Sequence, residues 1–208
     1  MGADICKALE ICESAHIVHA NIKPENIFVS KFGEFKLGDF SLAKSIQTEN
    51  TTVIRRRNIG YMAPEVYRGY DCSFSSDLYA LGMVMYQFLN QGRMPYMPNY
   101  PAKITYQDEE KAILRRISGE ALTKPENMSE ELFAIVSRMC AQNAEQRFQS
   151  AREVREELSN LLKTEHEELD MNATVSIFSS KMRKERMEKF KKMQETKENT
   201  DKAEHVEE

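Results

Sequence analysis

Residues 19–29 read HANIKPENIFV, and this stretch decides the fold. Pro24 stiffens a loop that holds Lys23 and Asn26 at fixed spacing and runs straight into a β-branched and aromatic run, Ile27 to Val29. Asn21 places an amide in that loop where a carboxylate would be the obvious chemical tool. Whether the chain is an enzyme or a derivative of one turns on that substitution.

Downstream, Lys31, Phe32, Gly33 and Glu34 separate the first run from a second, Phe35 to Leu37, which predicts a small β-hairpin. Upstream, Ile5, Ala8, Leu9 and Cys12 recur at i, i+3, i+4 and i+7, the pattern of an amphipathic helix over 4–15 with Asp4 as its cap. Residues 41–58 are polar and aperiodic and read as a long loop, a class more often functional than idle in a compact domain. Helical periodicity then dominates near 63–69, 76–90, 108–118, 129–141 and 150–163, with the proline-rich MPYMPNYPA at 94–102 as an irregular crossing. The 76–90 segment is the least polar and is expected to be the most buried, through Leu81, Val84 and Leu89.

The bulk composition narrows the partners. With 208 residues the chain suits one domain plus a tail, and 29 basic against 33 acidic residues give a net charge of −4, too even for a nucleic-acid partner. Cys6, Cys12, Cys72 and Cys140 form no CxxC pair, so reduced thiols in a cytoplasmic setting are expected. The apolar run from Tyr79 to Leu89 is too short to cross a bilayer, so no membrane span is expected. Beyond 171 the character changes: residues 181–208 hold nine Lys+Arg and eight Asp+Glu, and read as a charged tail, disordered or partly helical. The basic segment KMRKERMEKFKK (181–192) reads as a solvated stretch, with a partner-binding or membrane-surface helix as the alternative.

HANIKPEN resembles the catalytic loop HRDxKPxN of the protein kinases, and it does not stand alone. In family order follow DFS (39–41), similar to DFG; APE (63–65); SDLYALG (76–82), similar to SDxxSLG; and an isolated Arg147. The resemblance covers residues 3–163, leaving 164–208 as the tail, and Lys23 points to the serine/threonine branch. It implies an α+β, mostly helical protein-kinase-like C-terminal lobe with a small β-hairpin. It also implies ATP and Mg²⁺ as cofactors, with Asn26 and Asp39 as metal ligands, Lys23 at the transferred phosphate and Phe28 as the floor beneath adenine. His19 and Phe40 would stack as a structural column, Asp77 would cap the catalytic-loop backbone, and Glu65 would pair with Arg147.

The departures are as informative. Asn21 stands at the position of the catalytic aspartate, and an amide cannot accept the substrate proton. Ala20 replaces the arginine that receives an activation-loop phosphate, so phosphorylation at Thr48, Thr51 or Thr52 would need Arg55, Arg56 or Arg57 instead. Arg57 and Asn58 replace the Gly-Thr that precedes YMAPE, and Ser41 replaces the DFG glycine, where it is expected mainly to stiffen a hinge. Only 18 residues precede His19, and none of the eight glycines forms GxGxxG, so the N-terminal lobe is expected to be absent from this sequence. Three readings follow: a catalytically inactive kinase fragment, a phosphotransferase completed in trans by a separate N-lobe, and a non-catalytic protein-interaction module.

Overall fold

The structure is a computed structural model and describes residues 1–45 and 59–164. Residues 1–161 make one compact unit, and residues 162–208 are a second, of which 162–164 are described.

The chain opens on helix α1 (Gly2–Ser14), which buries Ile5, Cys6, Leu9 and Cys12 along one face. The predicted cap is corrected: Met1 occupies the cap position without a side-chain bond, and Asp4 lies inside the first turn. Its carboxylate instead accepts from the Phe35 N–H at 3.4 Å, tying the helix to the hairpin. Strand β1 (Ile17–Val18) follows, then the loop 19–26, which ends in a 3₁₀ turn with Pro24 at its start. Strands β2 (Ile27–Val29) and β3 (Phe35–Leu37) form the expected antiparallel hairpin, with Phe28 opposite Lys36.

Within the region expected to be loop, the described residues 41–45 include regular structure. A 3₁₀ turn spans Phe40–Leu42, and β4 (Lys44–Ser45) pairs antiparallel with β1. Two-residue strands far apart in sequence carry no periodicity, which is why pattern alone did not find them. Thr48, Thr51, Thr52, Arg55, Arg56, Arg57, Asn58 and the basic 181–192 segment lie outside the described residues.

Beyond α2 (Pro64–Tyr67) the centre of the fold is α3 (Phe74–Leu89), opened by a reciprocal capping box between Ser73 and Ser76. Every residue from Ser76 to Tyr86 is buried, which sets α3 in the middle of the core; Leu81 and Val84 are inside, and Leu89, at the helix end, is half-buried. Helix α5 (Glu130–Met139) packs across it at Gly82, where an added Cβ would come within 2.6 Å of the Cys140 sulfur. The close crossing requires glycine there. Helix α4 (Tyr106–Ile117), capped by Thr105 and Asp108, and the 151–161 part of a final helix complete the unit.

Candidate active site

The loop 19–26 is held from beneath by α3. Asp77, buried on that helix, accepts the backbone N–H of His19 at 2.7 Å and of Ala20 at 2.9 Å. Burial pushes the Asp77 carboxyl up to about 7, while these two donors favour its charged form. The loop needs this support because Ala20 adopts φ 60°, a left-handed conformation costly for alanine.

His19 carries the link onward. Its Nδ1 accepts from the Asn21 N–H at 3.3 Å and its Nε2 donates to the Gly38 carbonyl at 3.0 Å, so both ring nitrogens are engaged. Burial lowers its pKa, consistent with a neutral ring in that tautomer. The ring meets Phe40 edge-on, with centroids 4.6 Å apart at 76°. A Cβ on Gly38 would lie 2.7 Å from the Phe28 ring and push that exposed ring aside.

At the outer edge, Asn21, Asn26, Asp39 and Ser41 form one hydrogen-bonded group. Asn26 donates its amide to the Asn21 carbonyl at 2.7 Å, which leaves its side-chain oxygen as the atom available to a cation. Asn21 in turn donates its side-chain amide to Asp39 Oδ2 at 2.9 Å. The other carboxylate oxygen, Oδ1, accepts from the Ser41 hydroxyl at 2.6 Å and from the Ser41 N–H at 3.3 Å. The Ser41 hydroxyl bond is the main cause of a lowered Asp39 pKa, with the charge of Lys23 adding to it. Ser41 therefore does more than stiffen a hinge: it is a direct partner of the acidic side chain beside it.

The outer wall of the group is open. Phe28 is 56% exposed, Val29 63% and Phe40 47%, so a planar ligand on Phe28 would be covered from one side by the described residues. Below, Glu65 and Arg147 form a two-pronged ion pair at 2.8 and 2.7 Å, and Arg147 also reaches the carbonyls of Ala141 and Ser75 and lies 4.8 Å from the Tyr79 ring centre. Burial opposes ionisation of Glu65, but its bonds from Arg147 and Ser76 outweigh it and lower the pKa.

Residues 1–158 match the profile of the Protein kinase domain. The chain belongs to the protein kinase family. It is 33% identical over 159 residues to the serine/threonine-protein kinase PknB of Mycobacterium leprae, covering 75% of this chain and 25% of that protein. The PknB of Mycobacterium tuberculosis is 32% identical over 160 residues with the same coverage. A probable serine/threonine-protein kinase of Clostridium perfringens is 27% identical over 186 residues, covering 87% of this chain and 25% of that protein. The chain thus spans 25% of the length of each of these kinases.

One residue of this kinase lobe escaped the sequence reading. Arg116, near the end of α4, is buried and donates to the carbonyls of Ile59 (2.6 Å) and Gly60, the residues just ahead of the Tyr61–Glu65 segment. The signal was present: Arg116 lies four residues after buried Ala112 and three after half-buried Ile113, on the inner face of α4.

For magnesium the donor set is short. It consists of one carboxylate, already accepting three hydrogen bonds, and one amide oxygen, whereas Mg²⁺ demands near-octahedral oxygen coordination. Among the described residues no group of three or more His, Cys, Asp or Glu is placed to hold a metal ion. Asp39 and Asn26 would supply only part of an octahedron that water and substrate phosphates complete. Among them, too, no helix is long and apolar enough to cross a membrane.

Proposed function

We propose that this chain is a kinase C-lobe, residues 3–163 followed by a charged tail at 164–208, that does not catalyse phosphoryl transfer as it stands. The observation that carries the reading is the Asn21 side chain. It occupies the position of the general base, has no proton-accepting capacity, and spends its N–H on Asp39. A general base contributes about 10²–10⁴-fold to such a reaction, and that contribution is lost here. Lys23, Asn26, Asp39 and Phe28 are the residues of this chain that would meet Mg²⁺-ATP, with weak binding or none. The setting is cytoplasmic, in keeping with four free cysteines.

The test supplies a separate kinase N-lobe in trans, with Mg²⁺-ATP and a generic serine/threonine substrate. No transfer is expected from the wild-type chain, with or without that lobe, and Asn21→Asp with the lobe is expected to gain activity. Transfer by the wild-type chain plus the lobe, above an Asp39→Ala control, would overturn the reading in favour of a phosphotransferase completed in trans. A second reading, a protein-interaction module, draws on the exposed Phe28, Val29, Phe32 and Phe40 around the outer edge.

A further inference from the structure

Two of the positions at which this chain departs from the kinase motifs, 21 and 41, converge on one side chain. Asn21 donates to Oδ2 of Asp39 at 2.9 Å, and Ser41 donates through its hydroxyl to Oδ1 at 2.6 Å. The departures are 20 positions apart in sequence, yet each takes one oxygen of the same carboxylate. We propose that Asn21 and Ser41 take the place of a divalent cation at Asp39, so that the Asp39–Ser41 turn is held by protein donors and is independent of metal. This rests on the non-catalytic reading of the site.

The physical argument begins with charge. An aspartate at 21 in the same pose would set a second carboxylate oxygen about 2.9 Å from Asp39 Oδ2. Two carboxylates at that separation repel, and a cation between them or a shared proton is the usual relief. The amide removes one negative charge and turns the contact into a donor–acceptor pair. Ser41 supplies the second half: a glycine there would keep the backbone N–H, at 3.3 Å, but lose the hydroxyl. The backbone has a use for such a clamp, since Asp39 sits at φ 57° and ψ 71°, a left-handed conformation that side chains other than glycine adopt at a cost. Asn21 is itself fixed, because its N–H is tied to His19 and its carbonyl to the Asn26 amide. The donors are thus preorganised and the carboxylate is satisfied without an ion.

The experiment is thermal denaturation of the full chain with MgCl₂ alone against EDTA, with no nucleotide present. The wild-type Tm is expected not to move with Mg²⁺. Asn21→Asp is expected to lose Tm in EDTA and regain it with Mg²⁺. Asn21→Asp/Ser41→Gly should respond more strongly still, and adding Asp39→Asn to either variant should abolish the response. A wild-type Tm raised by Mg²⁺ as far as that of Asn21→Asp, and no longer raised after Asp39→Asn, overturns the proposal. So does an Asn21→Asp chain that matches wild type in EDTA and ignores Mg²⁺. Should Asn21→Asp fail to fold, Mn²⁺ binding followed by electron paramagnetic resonance decides on the wild type and Ser41→Gly. Ion capture only after Ser41→Gly supports the clamp, whereas a wild-type ion lost on Asp39→Asn, or no ion in either, refutes it. The outcome is separable from the activity test: transfer in trans would unseat the non-catalytic reading, while a Mg²⁺ response of the wild type would unseat the clamp.

Discussion

Beneath the loop 19–26 and along its outer edge, this kinase lobe is built on opposite terms. Beneath, Asp77, His19 and Arg147 are buried and hydrogen-bonded across long sequence separations, to the loop backbone, to the Gly38 carbonyl and to the APE segment respectively. Along the edge, Asp39 and Ser41 are exposed and bond to each other, and Asp39 also accepts from the Asn21 amide. The buried frame matches the family motifs residue for residue, whereas the edge departs from them at Ala20, Asn21 and Ser41. The contrast teaches that the shape of an active-site loop and its chemistry are separable. Shape depends on buried partners that are costly to lose, and chemistry on the group gathered at the edge, the exposed Asp39 and Ser41 with the buried amides Asn21 and Asn26.

The comparison predicts a gradient of effects. Arg147→Ala should be the most damaging change, because it leaves Glu65 half-buried without its cation; loss of one partner of such a pair costs roughly 3–5 kcal/mol. Urea denaturation measures it, and a loss below about 1 kcal/mol, the level of a surface pair, would break the distinction. The same pair sets an acid dependence. Because the Glu65 pKa is lower in the folded chain than its ordinary value, its contribution is present above the unfolded pKa and lost as pH falls through the folded one. Stability should decline on that acid limb, and less steeply in Glu65→Gln.

Asp77→Ala comes next, since it strands the N–H groups of His19 and Ala20, at roughly 1–3 kcal/mol for each buried donor left unpaired. Amide exchange at those two residues should accelerate before global unfolding. Unchanged exchange would mean that the loop does not depend on α3.

Arg116→Ala extends the frame to the segment ahead of APE. It removes two bonds to the half-buried Ile59 and Gly60 carbonyls, where water can take the place of the lost donor, so the two together are expected to be worth about 1.5–3 kcal/mol. The Met62 N–H, which donates to Ile59 at 3.4 Å, is the local reporter. Its exchange should rise more than that of α1.

Much of this lobe was legible in the sequence because its signals are local. The hairpin follows from two short β-branched and aromatic runs around Gly33, and α3 from the apolar run at 78–86 behind the Ser73 cap. Glu65 and Arg147 were legible through the motif, although 82 residues separate them. What escaped depends on tertiary neighbours. The β1–β4 pairing joins dipeptides, too short to carry a period. Asn21 reads as a plain loss of function until the structure sets its amide against Asp39, and Ser41 reads as a stiffened hinge until its hydroxyl is seen on the same carboxylate.

The smallest expected effect is that of Ser41→Ala. The hydroxyl bond it removes is short, at 2.6 Å, but its acceptor faces solvent, so water can replace the donor that is lost. Asp39 keeps the Asn21 amide and the backbone N–H of residue 41. Calorimetry should therefore show no resolvable change in Tm, while the amide signal of residue 41 shifts in the NMR spectrum because its neighbour on Oδ1 has gone. A fall in Tm comparable to that of Arg116→Ala would place Ser41 within the frame. The outer edge would then be a structural part of the lobe, and the division between shape and chemistry would have to be redrawn through Asp39 itself.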